Sequence, residues 1–188
     1  GTWSMFKERG SLMMEGQYDH DSRTGVWHRW YVAGELPMLR ERPFVEFQTP
    51  FISQGVFDRD TLNGPWIIYD SKHRKIFEIH FEMGERHGQA VWYYPNGQRM
   101  RQMHFEHGVL EGEVTEWKPD GSVMGVDRYD QGRKLAVRTE YHKNKAKKSE
   151  AQVLEAPLRA KTLDSWHQGE LATFAPQGDA VKHGPFRA

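Results

Sequence analysis

Ten histidines and two recurring acid pairs are the residues whose chemistry would first suggest a site. One zinc ion needs ring nitrogens each about 2.0–2.1 Å away. The spacings that usually provide them, His-x-x-x-His and His-Glu-x-x-His, do not occur in this chain. The pairs Asp19-His20-Asp21 and Asp58-Arg59-Asp60 offer carboxylates two residues apart, which suits calcium. They depart from the EF-hand pattern Asp-x-Asp-x-Asn-Gly, and turn-forming aspartates that satisfy backbone N–H groups explain them at least as well. Cysteine is absent, which removes disulfides, thiolate metal sites and thiol nucleophiles together. Catalysis would also need a nucleophile and a base within hydrogen-bond reach, and no motif in the chain supplies that convergence. The expectation is a non-enzymatic protein with no resident metal and no cofactor.

The elements that must position these residues are set by composition and period. The chain has 188 residues, with 26 Lys+Arg against 26 Asp+Glu. That balance argues against a nucleic-acid partner, which usually meets a basic excess or stripe. No apolar run of about 18 residues occurs, so no transmembrane segment is expected. Nor does a basic-then-apolar stretch at the start read as a signal peptide. The chain begins with Gly, as a piece of a longer or processed protein would. Without thiols it suits either redox compartment, so cytoplasm and cell envelope both stay open. Hydrophobic residues are only 37% while aromatics reach 13%. Disordered chains are poor in rings, so this composition fits a thin structure whose apolar area comes from large aromatic side chains.

Those rings recur in step. Gly64, Gly88 and Gly112 stand 24 residues apart. Each is followed at fixed offsets by a ring (Tyr69, Tyr93, Trp117), a turn, a second ring (Phe81, Phe105, Tyr129) and a second glycine (Gly84, Gly108, Gly132). The comb extends back to Gly25 and Gly1 and forward to Ala136, where the phase glycine is lost, and restarts at Gly184. Repeats therefore begin near 1, 25, 64, 88, 112, 136 and 184 in one array over 1–188. From Gly25 to Gly64 the step is 39 residues rather than 24, which predicts an insertion within about 35–56. Residues 157–183 are irregular. Such internal periods mark repeat architectures, each unit relying on its neighbours for burial.

Inside a repeat the residues read as a hairpin. Ala90-Val91-Trp92-Tyr93-Tyr94 is β-branched and aromatic, Pro95-Asn96-Gly97 is turn chemistry, and Met100 to Phe105 is a second strand. The prediction is an all-β fold: one elongated antiparallel meander of hairpins, with insertions. Equivalent residues of successive hairpins would lie roughly 9–10 Å apart at about 4.8 Å per strand. Phe6, Trp30, Tyr69, Tyr93, Trp117 and Tyr141 then form one file of rings, and Tyr18, Phe57, Phe81, Phe105 and Tyr129 another.

Gly88-Gln-Ala-Val-Trp-Tyr-Tyr-Pro-Asn-Gly97 followed by Phe105-Glu-His-Gly108 resembles the bacterial variant of the MORN repeat. Phe81-Glu-Met-Gly84-Glu-Arg-His87-Gly88 is similar to the ordinary MORN repeat core. The resemblance covers 1–34 and 57–135 and, loosely, 136–156. It implies a single β-meander sheet without an enclosed core, used for interaction or scaffolding and in some members proposed to associate with membranes. Bacterial variants are often labelled antitoxin or immunity components of toxin systems. No catalytic residue is implied by it.

The expected function is a protein-interaction or scaffold module. The alternatives are an antitoxin or immunity protein that binds a cognate toxin, and a cell-envelope module that binds a glycan or a lipid surface. Both ring files serve as core on the simplest reading. An open sheet has two faces, however, and exposed Trp and Tyr would grip a partner. Trp3, Trp27, Trp66, Trp92 and Tyr94 are the candidates in the array, and Phe44, Phe47 and Trp166 those in the irregular segments. Phe44-Val45-Glu46-Phe47 suggests an extra strand or flap. The array's edge strands offer a route to homo-oligomers, and peripheral membrane contact remains compatible with the composition.

Overall fold

Alternation decides the strands. In 51–58, Phe51, Ser53 and Phe57 are buried while Ile52, Gln54 and Val56 are partly open, the period of a strand with one face on a core. The computed structural model describes residues 1–32, 35–40 and 42–154. Trp166, the segment 157–183 and the restart at Gly184 lie outside the described residues, as does Gly34. The strands are β1 (Thr2–Phe6), β2 (Leu12–Asp19), β3 (Ser22–Tyr31), β4 (Phe51–Asp58), β5 (Thr61–Tyr69) and β6 (Lys75–Glu82). They continue with β7 (Glu85–Tyr93), β8 (Arg99–Glu106), β9 (Val109–Trp117), β10 (Val123–Asp130), β11 (Arg133–Tyr141) and β12 (Lys147–Leu154). Their order in the single sheet is their order in the chain, each antiparallel to the next. The fold is the all-β meander the period predicts.

Turn chemistry sets the register. At one end of the sheet the hairpins close on residue pairs with positive φ at both positions: His20-Asp21, Arg59-Asp60, Met83-Gly84, His107-Gly108 and Gln131-Gly132. These are type I′ geometries, whose twist matches that of the flanking strands. Successive turns are stitched together, for the N–H of Gly84, Gly108 and Gly132 donates to the carbonyl of Leu62, Arg86 and Leu110 at 2.8–2.9 Å. At the other end, Asn96 Oδ1 accepts from Gln98 N at 3.0 Å while Gly97 sits at φ 83.

The phase glycines have one further job. Between Ile79↔Ala90 and Phe81↔Arg86, His80 faces three residues, His87-Gly88-Gln89, so β7 bulges there. Gly88 makes this possible at φ 81, as Gly25, Gly64 and Gly112 do in their hairpins. Ala136 holds the same place in β11 without a positive φ. Pairing of β10 with β11 stops at Arg128↔Leu135 and, among the described residues, does not resume.

The core lies on one face. Trp27, Phe57, Trp66, Phe77, Phe81, Trp92 and Phe105 all point to it and are buried. The described residues between β3 and β4 cross this face as a flap with short 3-10 turns at Pro37–Arg40 and Phe44–Glu46. Its Phe44 ring packs edge-on against Trp92 (5.8 Å between centroids) and Phe51 (5.6 Å). Leu39 and Phe47 are buried with it. The flap thus gives an open sheet an enclosed core, unlike the coreless sheet the resemblance implies. Residues 44–47 form a turn rather than an extra strand, since Pro43 enters it in the helical region at ψ −7. Strand β4 takes up residues 51–56 of the stretch expected as insertion.

Two carboxylates pin the flap. Asp70, fully buried, accepts from the N–H groups of Lys72 and Arg74 (both 2.9 Å) and from Arg74 Nε and Nη2 (2.8 and 2.6 Å). It also accepts from Gln48 N of the flap at 3.4 Å, while Ser71 N donates to Gln48 O at 2.9 Å. Burial by itself would raise the Asp70 carboxyl, but the Arg74 side chain and the backbone donors outweigh it and hold the group below the usual carboxylate range. At the flap's start, Glu35 accepts from Lys7 Nζ (2.9 Å), Arg29 Nη2 (2.8 Å) and Val32 N (3.1 Å).

Candidate interaction surface

The two ring files face opposite ways. Tyr18, Phe57, Phe81, Phe105 and Tyr129 share the core face with Trp27 and Trp66, as the ring contacts Tyr18–Trp27 (5.2 Å) and Trp27–Phe57 (6.3 Å) require. Strand alternation places Phe6, Trp30, Tyr69, Tyr93, Trp117 and Tyr141 on the other face. There Phe6 and Tyr141 are exposed (59% and 64%), and Trp30, Tyr69, Tyr93 and Trp117 are half-buried. The flap's Phe44 meets Phe51 and Trp92 on the core face. The second file therefore runs across the sheet as a row of aromatic surface from β1 to β9, with Tyr141 beyond the point where β10 and β11 part.

Neighbouring side chains contact Tyr93 and Trp30. Tyr93 Oη donates to Glu78 Oε1 at 2.5 Å, and Lys75 Nζ donates to Glu78 Oε2 at 2.5 Å. Burial, then the Glu78 contact, push the Tyr93 hydroxyl well above its usual range. Burial would raise Glu78, but its bonds from Lys75 and Tyr93 outweigh that and lower it. Lys75 also lies 5.7 Å from the Tyr93 ring centre. Trp30 leans on His28 (5.9 Å between rings), which contacts Gln54 Oε1 at 3.3 Å. A row of surface rings with polar groups beside it can stack on and hydrogen-bond a partner.

Most sequence-predicted binding residues lie elsewhere. Trp27, Trp66 and Trp92 are 0%, 1% and 7% exposed, and Phe44 and Phe47 are buried in the flap, so none is presented to a partner. Trp3 is partly buried on the core face, packed on Tyr18 (6.0 Å) and Trp27 (5.7 Å). Tyr94, half-buried in its turn, donates to the Trp117 carbonyl at 2.8 Å. A signal for this burial does exist in the chain. Gly16 pairs with Trp3, and Gly55 pairs with both Trp27 and Trp66. A Cβ at Gly16 would sit 2.1 Å from Trp27 Cδ2, so the indole lies flat over the bare glycine. A glycine nine residues before the phase glycines Gly25 and Gly64 marks where a tryptophan folds inward.

The carboxylate pairs Asp19/Asp21 and Asp58/Asp60 are turn residues. Asp60 Oδ1 accepts from Arg23 N (3.0 Å) and Arg23 Nε (2.9 Å), which locks one turn to the next rather than facing a cation. Burial would raise Asp60, yet the Arg23 bonds hold it below its usual range. Among the described residues no group of three or more His, Asp or Glu side chains is placed to hold a metal ion, and no helix is long and apolar enough to cross a membrane.

No curated protein matches the chain. Residues 86–107, which span β7, its turn and β8, match the family described as MORN repeat variant.

Proposed function

We propose that this chain is a non-enzymatic interaction module that holds a partner protein on the face carrying Phe6, Trp30, Tyr69, Tyr93, Trp117 and Tyr141. The carrying observation is the segregation of the rings: one file is consumed by the core, the other stays at the surface across the sheet. Trp and Tyr supply large, stiff contact area and dominate interface energetics. The match of residues 86–107 to a MORN repeat variant agrees with a repeat-based interaction or scaffold role. Polar groups fixed beside the rings, such as Glu78 and Gln54, would give the contact direction.

The test is a pull-down with the full chain, wild type against Trp30→Ala and Trp117→Ala. A protein retained specifically by the wild type and lost from both variants supports the reading; a cognate toxin in that position would make the module an antitoxin. Retention unchanged in both variants contradicts it. Quenching of tryptophan emission by an oligosaccharide, with no protein retained, favours the glycan-binding alternative, for which the same rings would serve as stacking platforms.

A further inference from the structure

The seam between β10 and β11 is an opening inside the sheet. In the phase-equivalent hairpin β8–β9, pairing resumes beyond the bulge with Gln102↔Thr115 and Arg101↔Glu116. The corresponding residues of β10, Val126 and Gly125, pair with Thr115 and Glu116 of β9 on one side and with nothing on the other among the described residues. Beyond Leu135, β11 pairs only with β12. The cause is local: without a glycine at 136 the three-against-one bulge does not form, and β11 runs away from β10. The salt bridge from Lys134 Nζ to Asp127 Oδ1 (2.7 Å) marks the mouth of the fork. Above it Val123, Met124 and Val126 are 58%, 58% and 49% exposed.

We propose that this edge of β10 accepts an extended segment of a separate partner polypeptide as an added strand, antiparallel to β10. Main-chain N–H and C=O groups on an open strand edge recognise another extended backbone, and flanking side chains then select its sequence. The other hairpins specify what fits. The strand in this slot reads Trp27–Trp30, Trp66–Tyr69, Ala90–Tyr93 or Val114–Trp117, opening on an apolar residue and closing on a ring. The equivalent part of β11 reads Arg138-Thr139-Glu140-Tyr141, with a charged residue where the others open on an apolar one. A second copy of this chain offers β1 as a sheet edge, but β1 on β10 is a head-to-tail contact that propagates instead of closing. The inference rests on the interaction reading but on a different surface, so its failure leaves the Trp30 and Trp117 experiment untouched.

The probe is a fluorescein-labelled synthetic peptide with the sequence of Val109–Trp117, titrated into the full chain and followed by anisotropy and by amide exchange of residues 123–127. The expected result is saturable binding that slows exchange at those residues. Val126→Asp, an exposed position, should weaken binding about tenfold, the order expected from losing one apolar contact; Val123→Asp should act likewise. A peptide with Pro in place of the Thr115 residue should not bind. Absence of binding, binding without slowed exchange, or binding to both variants as tight as to the wild type overturns the proposal. So does slow exchange at 123–127 in the free chain, and so does protection that grows with protein concentration alone, which would assign the slot to a second copy.

Discussion

Gly16 and Gly112 show that one residue type does two jobs here. A methyl at Gly16 collides with the Trp27 indole, while a methyl at Gly112 meets nothing within 4 Å but must adopt φ 75. Gly16→Ala should therefore cost about 3 kcal/mol through forced repacking, and Gly112→Ala about 1 kcal/mol through backbone strain alone. Urea denaturation separates them, and equal losses would contradict the distinction. Asp70 gives a pH signature at the same scale. Its folded carboxyl titrates below the unfolded one, so its contribution is complete above about 3.9, the ordinary aspartate value, and disappears as pH falls through the folded value. Asp70→Asn should be less stable than wild type at pH 7, and the gap in melting temperature should close on acidification below pH ~4. A gap that widens in acid would contradict the assignment.

Among the described elements, the flap and the seam depart from the repeat, and each has a cause that reasoning from sequence reached only in part. The hairpins themselves are legible because their signals are local: Pro95-Asn96-Gly97 and His107-Gly108 specify turns without reference to the rest of the chain. The flap's fold was not legible, because Phe44 is placed by Trp92, a residue two hairpins further along. Phe44→Ala should lose about 3–4 kcal/mol and shift tryptophan emission to the red as Trp92 becomes wet. Unchanged emission would mean that the flap does not seal that ring. The loss of glycine at 136 was visible in the sequence, but its consequence depends on register across β10. Ala136→Gly should let the bulge form and slow amide exchange at Gly125–Asp127. No change there would show that the fork has another origin.

At the scale of the whole molecule, the strict period predicts one long sheet and two ring files but does not say which file faces the core. That choice follows from cross-strand neighbours: glycine opposite Trp3, Trp27 and Trp66 draws these rings inward, and the flap covers Trp92 on the same face. The tryptophans most conspicuous in the sequence are therefore packed in the core, and the rings that stay at the surface of the other face include Trp30, Trp117 and the tyrosines between them. Hydroxyl-radical footprinting of the intact chain, read residue by residue by mass spectrometry, tests this division most directly. Phe6, Trp30, Trp117 and Tyr141 should be oxidised readily while Trp27 and Trp66 stay protected; labelling of Trp27 and Trp66 with protection of Trp30 and Trp117 would contradict the account.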